Sequence, residues 1–157
     1  MKWKTSENAA GNARRVLPKL AQNYFEAGRK AADGKRSAKA LHRFRLATKR
    51  FRYALELFRP LYGPSLDRRL KTVHELQDVL GKVSDYQTIL NMLAGDQEMG
   101  AKVRRALKRK SKDFPKQWKA FDCDGQLKQW KAYLGRGPRA VPARRSKARP
   151  NNTRMLK

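Results

Sequence analysis

At 157 residues the chain is long enough to bury the core of one domain, and its 39 Lys and Arg against 13 Asp and Glu leave a formal net charge of +26. That excess repels itself in a compact state and points to an anionic partner: polyphosphate, RNA, DNA or an anionic membrane surface. A 9% aromatic content excludes a wholly disordered basic chain, and a single cysteine, Cys123, excludes an intrachain disulfide.

The opening MKWKTSENAAGNARR lacks the apolar stretch of a secretory leader, and no later run approaches the ~18 apolar residues of a membrane span. A reducing, cytoplasmic location and no membrane partner are expected. A first helix is predicted from about Ser6, its N-cap, to Ala32, with Val16, Leu20, Tyr24 and Ala27 on its apolar side. Pro18 is expected to kink that helix or to mark its true start. Asp33-Gly34 breaks the chain, and Ser37 caps a second helix through Leu61. Its apolar side repeats every 3.6 residues: Ala40, Phe44, Ala47, Phe51, Leu55 and Phe58.

Tyr62-Gly63-Pro64 stops one helix and starts another, since proline is tolerated in a first turn. The third helix is predicted to about Ala94, with Leu66, Leu70, Val73, Leu76, Leu80 and Val83 inward. Gly81 in its middle costs ~1 kcal/mol relative to Ala, so close packing or a bend is expected there. Gly95-Asp96 precedes a fourth helix carrying Val103, Leu107, Phe114, Trp118 and Phe121, which Pro115 should bend or split. A short piece with Leu127, Trp130, Tyr133 and Leu134 packs back. Trp118 is expected in the core, while Trp3 and Trp130 stay undecided between core and base stacking.

From Gly135 to Lys157 there are eight Lys or Arg, three Pro and no acid, the composition of a disordered basic tail. The expected fold is all-α, an antiparallel bundle of about four long helices over residues 1–134, followed by that tail over residues 135–157.

The informative segment is LHRFRLATKRFRYALELF, Leu41 to Phe58. At about 100° per residue, His42, Arg45, Lys49 and Arg52 fall within an arc of roughly 80°, opposite Phe44, Phe51 and Leu55. Tyr53 and Glu56 lie within or beside that arc. Lys39, Arg43 and Arg50 flank the row, and Arg59 continues it after one acidic interruption. Three turns cover about 15 Å, which suits an extended anion better than a single phosphate. Arg forks onto phosphate oxygens, Lys offers a point charge, and protonated His42 would add two donors. A merely solvated face is the plain alternative. Against it, no Glu-to-Lys ladder at i,i+4 neutralises the row, whose cations repel one another.

The segment resembles the CHAD family, the conserved-histidine α-helical domain. His42, Arg45, Leu46, Lys49, Arg50, Phe51 and Arg52 fit, in order, its hallmark helix: H-x-x-R-h-x-x-b-b-h-R, with h apolar and b basic. Farther on, LQDVLGKVSDYQTIL is similar to the family's L-x-x-x-L-G-x-x-x-D segment, with Leu76, Leu80, Gly81 and Asp85 in place. The resemblance implies polyphosphate binding and association with polyphosphate granules, without catalysis or cofactor. It makes His42, Arg45, Lys49 and Arg52 ligand-facing, Arg43 and Arg50 accessory, and Asp85 an orienting partner of Arg45 or Arg52. Family members usually hold two such repeats about a pseudo-twofold axis. This chain shows the motif once, so a homodimer would restore the paired stripes.

Other chemistry is not indicated by residue spacing. His42, His74 and Cys123 stand in no metal-ligand spacing, and no glycine-rich phosphate loop occurs. No carboxylate cluster suits a metal-dependent hydrolase, so a non-enzyme is expected. The alternative function is a non-specific RNA- or DNA-binding helical protein with the tail as an arm, and a scaffold for an acidic protein forms a third class.

Overall fold

A computed structural model describes residues 3–33, 37–93 and 95–137. Gly34 of the expected break, Ala94 and residues 138–157 of the expected tail lie outside the described residues. Six helices follow in chain order: α1 (Ala9–Asp33), α2 (Ala38–Leu57), α3 (Arg59–Tyr62), α4 (Pro64–Met92), α5 (Gln97–Phe121) and α6 (Gln126–Arg136). The fold is all-α. α1 packs on α2, α2 on α4, α4 on α5, and α5 returns to α1, closing a bundle of four long helices, while α6 lies along α1. Short connections force such neighbours to pair.

Local chemistry sets most of the boundaries. Asn8, not Ser6, caps α1: its Oδ1 accepts from the Gly11 N–H at 2.8 Å. Buried Asn12 holds the preceding segment, exchanging bonds of 2.9 Å each way with the Lys4 backbone. Ser37 caps α2 as expected, its Oγ accepting from the Ala40 N–H. α2 ends earlier than expected, at Leu57 rather than Leu61. Pro60 has no N–H to give the Glu56 carbonyl, so the helix breaks and α3 restarts with proline in its first turn. Gly63 joins α3 to α4 at φ 70°, a left-handed value that favours glycine. Asp96 caps α5 through the Met99 N–H at 2.9 Å.

Neither internal proline divides its helix. α1 runs through Pro18 and α5 through Pro115 without splitting. In each case the buried residues around the proline, Leu17 and Ala21 or Phe114 and Trp118, keep both halves packed on one core. That core is aromatic. Tyr24 stacks on Phe44 and Phe51 at centroid distances of 5.2 and 4.5 Å, and Trp118 and Phe121 meet it edge-on. Burial pushes the Tyr24 hydroxyl well above its ordinary pKa.

Gly28 lets α1 approach α5, since a Cβ there would overlap the Trp118 ring. Gly81 differs. A Cβ at that position would meet nothing within 4 Å, so close packing is not its reason. Trp130 and Leu134 are fully buried and dock α6, extending the helical body to Arg136, two residues beyond the expected limit. The Arg69 guanidinium lies 3.9 Å over the Tyr133 ring, and the Tyr62 hydroxyl donates to the Leu134 carbonyl at 2.7 Å. Burial pushes the Tyr62 pKa up to about 12.

Candidate functional site

The core side of α2 fixes its rotation. Leu41, Phe44, Thr48, Phe51 and Leu55 are buried, and Thr48 is satisfied locally by donating to the Phe44 carbonyl at 2.9 Å. His42, Arg43, Arg50 and Lys39 are left exposed, and Arg45, Lys49 and Arg52 half-buried. The four expected ligand-facing residues therefore share one side of α2, along its seam with α4. At the start of the row, Lys39 and His42 share a cleft of about 430 Å³ with Ser84, Gln87, Thr88 and Asn91 of α4. At its far end Glu56 reaches His74 of α4 at 3.5 Å.

The half-buried arginines are incompletely bonded. The Nε atoms of Arg45 and Arg52, and the Gln77 Oε1 from α4, are buried without a hydrogen-bond partner. Arg52 has one acid nearby, Glu56 at 3.5 Å, and its guanidinium lies 4.5 Å over the Tyr53 ring. Lys39, His42, Arg43, Arg45, Lys49 and Arg50 form no ion pair among the described residues.

Two expectations need correction. Arg59 does not continue the row as a free cation. It forks onto Asp67 of α4, with Nε–Oδ1 at 2.6 Å and Nη2–Oδ2 at 3.2 Å, and that bonding raises its pKa. Asp85 is exposed and bonds neither Arg45 nor Arg52, so its orienting role has no contact behind it. The acid beside Arg52 is Glu56.

Sequence reasoning missed His74, Gln77, Ser84 and Thr88, which supply the α4 side of the seam. Their spacings of three, seven and four residues place them on one flank of α4, beside the inward row of Val73, Leu80 and Val83. That periodic polar flank was a usable signal. Such a seam can hold anionic oxygens against fixed guanidinium, ammonium, imidazole and hydroxyl donors.

Among the described residues no group of three or more His, Cys, Asp or Glu is placed to hold a metal ion, and no helix is long and apolar enough to cross a membrane. No curated protein and no solved structure matches the chain. The CHAD domain matches residues 2–94, more than half of the 157 residues and the whole of α1 to α4 with the seam. The chain belongs to the CHAD domain family.

Proposed function

We propose that the chain binds a linear polyanion, inorganic polyphosphate, along the α2–α4 seam and performs no catalysis on it. One observation carries this: Arg45, Lys49 and Arg52 stand half-buried in one row with exposed His42, and of these four only Arg52 has an ion pair among the described residues. A charge-assisted bond from the accessible part of a half-buried guanidinium to a phosphate oxygen contributes about 1.5–3 kcal/mol. The row also lacks acids at its His42 end, so a polyanion there would relieve repulsion instead of displacing internal ion pairs.

Polyphosphate is favoured over nucleic acid by the scarcity of stacking surfaces. Phe44, Phe51 and Phe58 point into the core at 3% exposure each. Trp3 stacks on Phe58 with the ring planes 9° apart. Trp3 and Tyr53 are 50% and 52% exposed, but Phe58 lies against the ring of the first and Arg52 over that of the second, whereas single-strand binding draws about 1–3 kcal/mol per stacked base from open rings.

The experiment is a competition at matched phosphate concentration and fixed salt. Long-chain polyphosphate should displace a bound oligonucleotide, and duplex DNA or RNA prevailing instead would reverse the choice of ligand. Replacing Arg45, Lys49 and Arg52 together with Gln should remove most binding while circular dichroism stays helical. Unchanged binding by that variant would leave the row a solvated face.

We also propose a homodimer that pairs two stripes, in the cytoplasm at polyphosphate granules. Supporting it is an apolar row beside the cations: Leu46, Tyr53 and Leu57 are 39%, 52% and 67% exposed at spacings of seven and four. Light scattering of a monomer, with and without polyphosphate, would refute it.

A further inference from the structure

The cations of α5 belong to no motif and lie outside the residues that match the family. Between Gln97 and Phe121 stand nine Lys or Arg and two acids, Glu98 and Asp113. Both acids are engaged on their own helix, Glu98 with Lys102 at 2.8 Å and Asp113 with Lys110 at 3.4 Å. Arg104, Lys108 and Lys112 are exposed and form no ion pair among the described residues. With Ser111 they line a cleft of about 320 Å³ that no carboxylate enters and whose apolar wall is Ala38, Val83 and Leu107.

Position gives this cleft its meaning. Ala38 and Val83 also line the cleft that holds Lys39 and His42. The two are therefore contiguous, meeting where α2 begins over α4. The cationic row of α2 does not stop at His42. It leads past Lys39 into a second group of three cations, spread over two turns of α5 or about 12 Å.

We infer that the α4–α5 cleft of Arg104, Lys108 and Lys112 is a second subsite for the same polyanion, engaged by chains long enough to leave the α2–α4 seam and turn past Ala38. This rests on the seam being the primary site, as proposed above. A chain that fills both subsites gains through effective concentration, whereas a short one fills the seam alone. The subsite thus supplies selection by chain length, a property the family motif does not encode.

The test uses two probes, tripolyphosphate and long-chain polyphosphate, on the full chain. The triple variant Arg104→Gln, Lys108→Gln and Lys112→Gln is compared with Arg105→Gln, Arg109→Gln and Lys116→Gln, which removes equal charge from the same helix away from the cleft. For the cleft variant, long-chain affinity should fall about tenfold or more while tripolyphosphate affinity holds within about twofold. The salt slope for the long chain should drop by about two, as expected for three lost phosphate contacts.

Equal losses in the two triples would make the effect general attraction and overturn the subsite. So would a cleft variant that binds both lengths like the parent, while the variant of Arg45, Lys49 and Arg52 loses both. Should the seam variant keep full binding and the cleft variant lose it, the primary site falls and, with it, the order of subsites argued here. A parent chain that binds neither probe overturns both proposals.

Discussion

The two ends of the α2 row contrast sharply in how much of their charge is available. At the His42 end, Lys39 and His42 share their cleft with α4 residues that are neutral, Ser84, Gln87, Thr88 and Asn91, and Arg45 and Lys49 form no ion pair among the described residues. At the other end, Glu56 sits between Arg52 and His74 at 3.5 Å from each, and Asp67 forks onto Arg59. A helical wheel of α2 shows Glu56 beside the far end but nothing of Asp67. Among the described residues, the ion pairs of the seam fall at the Arg59 end, through Glu56 and through Asp67 from α4. Anion affinity should therefore centre on Arg45, Lys49 and His42 and fade toward Arg59.

The largest effect expected from this asymmetry is at Arg45. Arg45→Gln should weaken polyphosphate binding about ten- to a hundredfold, the loss of one charge-assisted, partly desolvated bond of about 1.5–3 kcal/mol. Arg59→Gln should leave affinity within about twofold, because its charge already serves Asp67. Isothermal titration of the two single variants at one salt concentration decides it, and equal losses would erase the contrast. A somewhat smaller effect comes from making the open end resemble the closed one. Ser84→Asp places a carboxylate in the cleft shared with His42 and should weaken binding about tenfold, by roughly 1.4 kcal/mol of repulsion and competition for the cations.

Much of the fold was legible because its signals are local. The inward row Leu66, Leu70, Val73, Leu76, Leu80 and Val83 is buried throughout, as its spacing predicts. The cap at Ser37 and the restart at Pro64 also read directly from residue type. Misreadings came where tertiary contacts arbitrate between local options. Ser6 and Asn8 are both fair caps, and the buried Asn12 network settles the start of α1 at the second. Pro18 and Pro115 are ordinary helix breakers, overruled here by the burial around them, whereas Pro60 was passed over and does break its helix. The stripe itself follows from the α2 wheel. Its neutralised end follows only in part: Glu56 is on that wheel, whereas Asp67 and His74 come from α4.

Removing the acids of the closed end should raise affinity, the opposite sign to every change above. Glu56→Gln frees Arg52 and His74 together. A pair of this kind is worth about 1 kcal/mol, the upper end for surface ion pairs, so binding should strengthen by up to about fivefold.

Asp67→Asn is the smallest change and the sharper discriminator. It releases only Arg59, which stands beyond the half-buried arginines and is 61% exposed in its side chain. A freed guanidinium so exposed contributes general attraction that salt screens, so a gain of about twofold at low salt should vanish near 0.15 M. The Glu56 gain should persist there, because the Arg52 side chain is only 17% exposed and its attraction is screened less. If both gains vanish together with salt, the burial of Arg52 does not set it apart from a surface cation, and the two ends differ in charge count alone.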